Sequence, residues 1–239
     1  MIQAIIFDFN GVIADDEAPH VTSFQQALDE AGLQLTRDDY YGIYWGMDER
    51  ACARTLLLAR DGSCDERLLS RIMNRKADLF RAETAERRPA LFPGIIDFVK
   101  MAKDRFRLAI ASGGRREQIA YALEGTPIEQ DFEVIITTED CAIGKPDPAI
   151  YRSTLEQLNA TAVSSSAIGP AQCLVIEDSL AGIRSALSAG MSVLALATTY
   201  PVDKLCEADH VLPNLRGVSP QTVIAQIGQT RRVTRTQPE

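Results

Sequence analysis

The chain has 239 residues, 46% of them hydrophobic and 24% charged, with 25 Lys+Arg against 33 Asp+Glu for a formal net charge of −8. That length fills one large domain or two unequal ones and buries enough surface to hold a core without staples. The acidic balance speaks against a nucleic-acid partner, which needs clustered Lys/Arg, and the five scattered cysteines (Cys52, Cys64, Cys141, Cys173, Cys206) suggest neither a disulfide framework nor a structural zinc site.

In chain order, Met1 leads directly into an apolar run with no basic segment before it and no small-residue cleavage pattern after it, so a secretory signal is not expected. No apolar run approaches the roughly 20 residues of a membrane span. The expected setting is cytoplasmic, without a membrane partner. Short apolar runs occur at 4–9, 108–111, 134–137, 173–176 and 193–197, with a weaker one at 210–212. They are continuous and β-branched rather than alternating, as in strands covered on both faces of a parallel sheet. Helical patterns separate them at 95–104, 116–123, 148–158 and 180–189. The alternation predicts an α/β fold, a doubly wound Rossmann-like parallel sheet whose sites lie outside the carboxyl ends of the strands.

One stretch breaks the alternation. Residues 16–88 hold no convincing strand, only helical segments at 21–31, 49–59 and 67–86, and Leu91-Phe92-Pro93-Gly94 restarts the βα pattern. This predicts an inserted helical cap domain at 16–88, over the strand ends of an α/β core formed by 1–15 and 89–228. The polar, aperiodic residues 229–239 read as a flexible tail.

Four of the predicted strand ends carry reactive polar residues. Asp8 emerges where the first run stops, just before Asn10-Gly11. Ser112-Gly113-Gly114 follows the second, a hydroxyl with flexible backbone N–H groups that can hold an anion. Gly144-Lys145-Pro146 puts a cation in a rigid turn, and Glu177-Asp178-Ser179 places adjacent acids before a helix. Each alone serves equally well as a turn or a helix cap. Together they supply a carboxylate nucleophile, an anion-holding hydroxyl, a screening lysine and a site for a hard cation.

The set resembles the haloacid dehalogenase superfamily of aspartate-nucleophile phosphotransferases, in the branch with a helical cap that contains β-phosphoglucomutase and phosphoglycolate phosphatase-like enzymes. Its four motifs stand here as Asp8-Phe9-Asn10-Gly11-Val12, Ser112, Lys145 and Glu177-Asp178-Ser179-Leu180-Ala181-Gly182, and the likeness runs from Ile2 to about Leu215. The resemblance implies that Asp8 attacks phosphorus to form an aspartyl-phosphate. It implies Mg²⁺ held by the Asp8 carboxylate, the Asn10 backbone carbonyl and Glu177 and/or Asp178. Lys145 would screen Asp8 and the phosphate, while Ser112 and neighbouring backbone N–H groups, Gly113 among them, would bind the transferring oxygens.

Position 10 departs from the family pattern. Mutases and phosphatases of the family carry a second aspartate there, which protonates the leaving oxygen and later deprotonates the attacking nucleophile. The Asn10 amide does not titrate, and losing a positioned acid–base forfeits about 10²–10⁴ in rate. Four accounts stand: a change introduced to trap a complex, substrates whose leaving groups need no proton, substitution by Asp15, Asp16 or His20, and a protein that binds phosphometabolites without turning them over. Asp15 and Asp16 read equally as a hinge and a cap for a helix starting at Val21.

The aromatic-rich stretch at 40–50, ending in Arg50, is a candidate specificity segment, although rings also dominate small cores. His20, Arg50 and Arg116 are candidate substrate contacts, and Lys76 is the one lysine of the cap. The expected activity is a Mg²⁺-dependent phosphatase-like hydrolase acting on a small phosphorylated metabolite, in a monomer or weak homodimer. The alternatives are a β-phosphoglucomutase-like phosphomutase and a catalytically weak phosphometabolite-binding module.

Overall fold

The computed structural model describes residues 1–40, 49–86, 88–141, 143–161 and 166–235. The chain divides into two compact units, Met1–Asp15 with Ala90–Glu239, and Asp16–Pro89. The chain opens with β1 (Ala4–Phe7) and β2 (Ala14–Asp15), and the second unit then contributes α1 (Glu17–Glu30), α2 (Arg37–Asp39), α3 (Glu49–Asp61) and α4 (Glu66–Glu86). The first unit resumes with β3 (Ala90–Leu91), α5 (Ile95–Ala102), β4 (Arg107–Ala111), α6 (Arg116–Leu123), β5 (Val134–Ile136) and α7 (Ala149–Thr161). It closes with β6 (Cys173–Glu177), α8 (Leu180–Ser188), β7 (Ser192–Leu196), β8 (His210–Leu212) and α9 (Pro220–Arg235).

The first unit is built on a six-stranded sheet in the order β5-β4-β1-β6-β7-β8, every pairing parallel. The apolar run of β1 is continuous because both its faces are covered. Ile5 and Phe7 pack with Phe98 and Val99 of α5, Ile119 of α6 and Val223 of α9. Ala4 and Ile6 face the other way, onto Ile150, Tyr151 and Leu155 of α7 and Ile183 of α8. Phe7 meets Phe98 and Phe132 edge-on, with centroids 6.2 and 5.7 Å away; truncating such a ring to alanine costs about 3–5 kcal/mol.

β1 stops at Phe7, two residues short of the predicted run. The Asp8 N–H still donates to the Ile176 carbonyl, but the chain then curls, with the N–H groups of Ile13 and Ala14 both donating to the Phe9 carbonyl. The curl delivers the backbone to β2, which pairs antiparallel with β3 through Ala14↔Leu91 and Asp15↔Ala90.

In the second unit Val21, Phe24, Ala27 and Leu28 make one helical stripe on α1, which packs on Cys52, Ala53 and Leu57 of α3 and Leu69 and Ile72 of α4. Helix α1 begins at Glu17, four residues before the expected start at Val21. Pro19 fits in a first turn, where its missing N–H would have no partner, and Glu17 suits the positive helix end. Asp16 occupies the N-cap position but makes no side-chain cap bond. Tyr40 is buried in this core, edge-on to Phe24; the rest of the predicted aromatic segment, residues 41–48, lies outside the described residues.

Residues 229–235, the first part of the expected tail, continue α9. Val223 and Ile227 anchor this helix in the core, and no proline interrupts it before Pro238. Among the described residues no helix is long and apolar enough to cross a membrane.

Candidate active site

Strands β4 and β6 flank β1 with Phe7 level with Ile110 and Ile176, so the residues just past their carboxyl ends converge. Asp8, Ser112 and the Glu177-Asp178 pair therefore share one end of the sheet, where its strand order reverses direction. Asp8, Glu177 and Asp178 are all buried, and one carboxylate oxygen from each lies within 4.8 Å of the others.

Lys145 holds this group together. Its ammonium donates to Asp8 Oδ1, to Glu177 Oε1 at 2.6 Å and to the Ala111 carbonyl at 3.3 Å. Beneath it lies the buried ring of Tyr151, 5.1 Å from Nζ, whose hydroxyl donates to the same Glu177 Oε1 at 2.7 Å. Glu177 Oε2 accepts from the Asp178 N–H, the Ser179 N–H and the Ser179 hydroxyl. Both Glu177 oxygens are thus engaged. A Cβ at Gly182 would lie 1.7 Å from Glu177 Oε1, so α8 brings its first turn against this carboxylate only because position 182 has no side chain.

Asp178 is held differently. Its Oδ2 accepts from the Thr199 hydroxyl, and a Cβ at Gly11 would lie 1.9 Å from that oxygen. Gly11 also takes a left-handed φ of 78°, which a side chain would strain. Asp178 Oδ1 has no hydrogen bond among the described residues. Ser112 Oγ accepts from the Gly114 N–H at 3.0 Å and donates to Asn10 Oδ1 at 3.5 Å.

The electrostatics follow from burial. Burial lifts the Asp8 carboxyl to about 7, Glu177 adds to the rise and Lys145 opposes it. Burial, Glu177 and Asp8 together push Asp178 well above the usual carboxylate range. Glu177 moves the other way: burial raises it, but Lys145 and its hydrogen-bond donors hold it below its ordinary value. Three carboxylates face one ammonium, and burial answers the imbalance by pushing Asp8 and Asp178 towards their protonated forms. The donor set fits a hard divalent cation, which prefers oxygen ligands and would restore the balance.

A Cβ at Gly113 would meet nothing within 4 Å. Arg116 pairs with Asp140 at 2.6 Å, and that carboxylate is also tied to the N–H and hydroxyl of Thr137. In the second unit Arg50 pairs with Glu66 at 3.1 Å. His20 and Lys76 form a part-buried cluster with Asp16 and Glu49: His20 Nε2 lies 3.3 Å from Asp16, and Lys76 Nζ lies 2.9 Å from Glu49. Burial and the Lys76 ammonium press the His20 pKa down, yet Asp16 and Glu49 outweigh both and lift it to about 9. Burial raises Glu49, but Lys76 and His20 overcome it and bring its pKa to about 2. The sequence reading missed Tyr151, Thr198 and Thr199; Thr199 and Tyr151 touch the acid cluster, and Thr198 donates to the Gly11 carbonyl at 2.6 Å. The only signal for the threonines was two adjacent hydroxyls just past a strand end.

A twisted parallel sheet with an aspartate, a lysine and two further acids at its switch point defines a Rossmann-like, acid-centred hydrolase. The chain belongs to the haloacid dehalogenase-like hydrolases, whose family model matches residues 2–190. It is 30% identical over 242 residues to "Protein CbbY" of Rhodobacter capsulatus, covering 93% of this chain and 97% of that one. It is 28% identical to a "Phosphorylated carbohydrates phosphatase" of Thermotoga maritima over 80% of this chain and 82% of the relative. It also superposes, with a TM-score of 0.74 and 27% identity, on a mutant CbbY of Rhodobacter sphaeroides with asparagine in place of an aspartate, crystallised with xylulose-1,5-bisphosphate; the match covers 90% of this chain and 95% of that one.

Proposed function

We propose that the protein is a Mg²⁺-dependent phosphatase of a small phosphorylated carbohydrate, acting through Asp8. The observation that carries this reading is the buried Asp8 carboxylate, bridged to Glu177 by Lys145 and clustered with Asp178. The likeness to a phosphorylated carbohydrates phosphatase and to a CbbY holding a sugar bisphosphate supports the substrate class. Asp8, Asp178 and the backbone carbonyl of Asn10 would hold Mg²⁺, with Glu177 adding charge while its own oxygens stay engaged. When bound, the ion neutralises carboxylate and phosphate charge that would otherwise repel.

An Asp8 carboxylate oxygen attacks phosphorus, the bond from phosphorus to the leaving oxygen breaks, and the leaving oxygen carries off the electron pair. Lys145 offsets the charge at Asp8, and Ser112 with the Gly113 N–H binds the transferring oxygens. Water then attacks the aspartyl-phosphate at phosphorus, releasing phosphate and restoring Asp8. Asn10 can position groups but cannot give or take the proton that each half needs. The first half therefore favours leaving groups that depart as stable anions, and the second half is slow.

The test is phosphate and p-nitrophenolate release from p-nitrophenyl phosphate with Mg²⁺. The parent should show one p-nitrophenolate per site released quickly, then slow turnover. Asn10→Asp should raise the steady rate by about 10²–10⁴, and Asp8→Ala should abolish both phases. Turnover by Asn10→Asp alone would favour the binding-module reading, for which Asn10 is the supporting observation. No turnover by either form, with this substrate or with sugar and acyl phosphates, would overturn the proposal.

A further inference from the structure

We infer that Thr199, assisted by Thr198, is a positioning residue that fixes which oxygen of Asp178 is presented to the divalent cation; the inference rests on the metal-dependent reading above. Both threonines lie just past the carboxyl end of β7, two strands away from β1. Their hydroxyls reach two different parts of the site. Thr199 Oγ1 donates to Asp178 Oδ2, and Thr198 Oγ1 donates to the Gly11 carbonyl at 2.6 Å.

The first bond settles the orientation of the carboxylate. Oδ2 is occupied by Thr199 and hemmed in by the Gly11 backbone, where even a Cβ would sit 1.9 Å away. Oδ1 is left as the oxygen of Asp178 able to ligate. The second bond anchors the turn that follows Asn10, whose main-chain carbonyl is the one non-acidic ligand proposed. Two adjacent hydroxyls on one loop thus set the relative position of two ligands separated by most of the chain. A hydroxyl is suited to this task because it donates without adding charge to a cluster already short of cations. Partners of this kind behind a metal ligand are worth about 10–100-fold in affinity.

The test uses the full chain and measures Mn²⁺ binding through the electron paramagnetic resonance signal of the free ion, without substrate. Thr199→Val keeps the shape of the side chain and removes the donor, and it should raise the Mn²⁺ dissociation constant about 10–100-fold. Thr199→Ser keeps the donor and should bind within about threefold of the parent. Thr198→Val should weaken binding by about 2–10-fold, the worth of one ordinary hydrogen bond. Thr199 is only half-buried in a surface loop, and Thr199→Ala provides a second removal of the hydroxyl should the valine variant misfold. Unchanged binding by the folded Thr199 variants lacking the hydroxyl would overturn the inference. So would a serine variant as weak as the valine one, since loss would then not follow the hydroxyl. A parent that binds no Mn²⁺ would overturn the metal reading itself and this inference with it, an outcome distinct from a binding parent with unaffected variants.

Discussion

Each unit holds one cluster of charged side chains, and the two clusters differ in balance. In the helical unit Asp16, Glu17 and Glu49 gather around His20 and Lys76, and burial raises Glu17 while the two bases oppose the rise. In the α/β unit Asp8, Glu177 and Asp178 face Lys145 alone. The first group is matched mostly from within: Asp16 and Glu49 raise His20, Lys76 and His20 lower Glu49, and Glu17 alone is pushed up by burial. The second is not, and the imbalance shows in the raised carboxyls of Asp8 and Asp178. Charged groups that satisfy one another serve to hold a fold, whereas carboxyls displaced this far by burial and by each other mark a candidate functional site.

That contrast can be broken most forcefully by removing each lysine. Lys145→Met and Lys76→Met should each cost about 3–5 kcal/mol, because each strands buried carboxylates, and urea unfolding would measure it. Saturating Mg²⁺ should restore much of the loss in the first variant and none in the second. Equal rescue, or none in either, would remove the distinction between the clusters.

The cluster of the helical unit should carry its own pH signature. A histidine with a folded pKa of about 9 against an ordinary 6.5 contributes stability that is fully present below about pH 6.5 and lost as pH rises through about 9. The size is on the order of 3 kcal/mol. Glu49, lowered to about 2, contributes stability present above its ordinary 4.5 and lost as pH falls through about 2. Thermal melts of the parent between pH 6 and 10 should show the alkaline loss, and His20→Gln should flatten it.

A smaller effect is expected from the cation itself. Mg²⁺ at about 100 times its dissociation constant should stabilise the parent by about 2.7 kcal/mol, and a chelator should reverse the gain. Calorimetry reads this directly, and a melt indifferent to Mg²⁺ would contradict the unbalanced reading. Smallest is Tyr151→Phe, which removes one of five donors to Glu177 while keeping the ring under Lys145; about 1.5 kcal/mol should be lost.

The strands were legible because burial on both faces writes a continuous apolar run, as in Ala4–Phe7 and Cys173–Glu177. Asp8, Ser112 and Glu177-Asp178 were legible because a polar residue at the end of such a run has few places to go but the sheet's end, and Lys145 because its Gly-Lys-Pro turn is rigid. Tyr151 was hidden by its helix: an aromatic at a core position of α7 looks the same whether or not its hydroxyl finds Glu177. Thr198 and Thr199 were hidden because their partners are remote in sequence and no period connects them. The start of α1 was misplaced because the reading keyed on the first apolar residue, whereas charge and proline govern a first turn. The resemblance offered Glu177 and/or Asp178 as metal ligands; that the Glu177 oxygens already carry five donors could be learned only in three dimensions.

The two-residue ribbon of β2 and β3 has a consequence for how such a chain can change. The helical unit leaves the core after Asp15 and returns at Ala90, and these two residues are paired directly across the ribbon. Neighbouring strands stand about 5 Å apart, so the core asks of any intervening polypeptide only that its ends meet. The sheet, the nucleophile and the lysine can therefore stay fixed while the excursion is lengthened, rebuilt or exchanged, which makes this ribbon a socket rather than a linker.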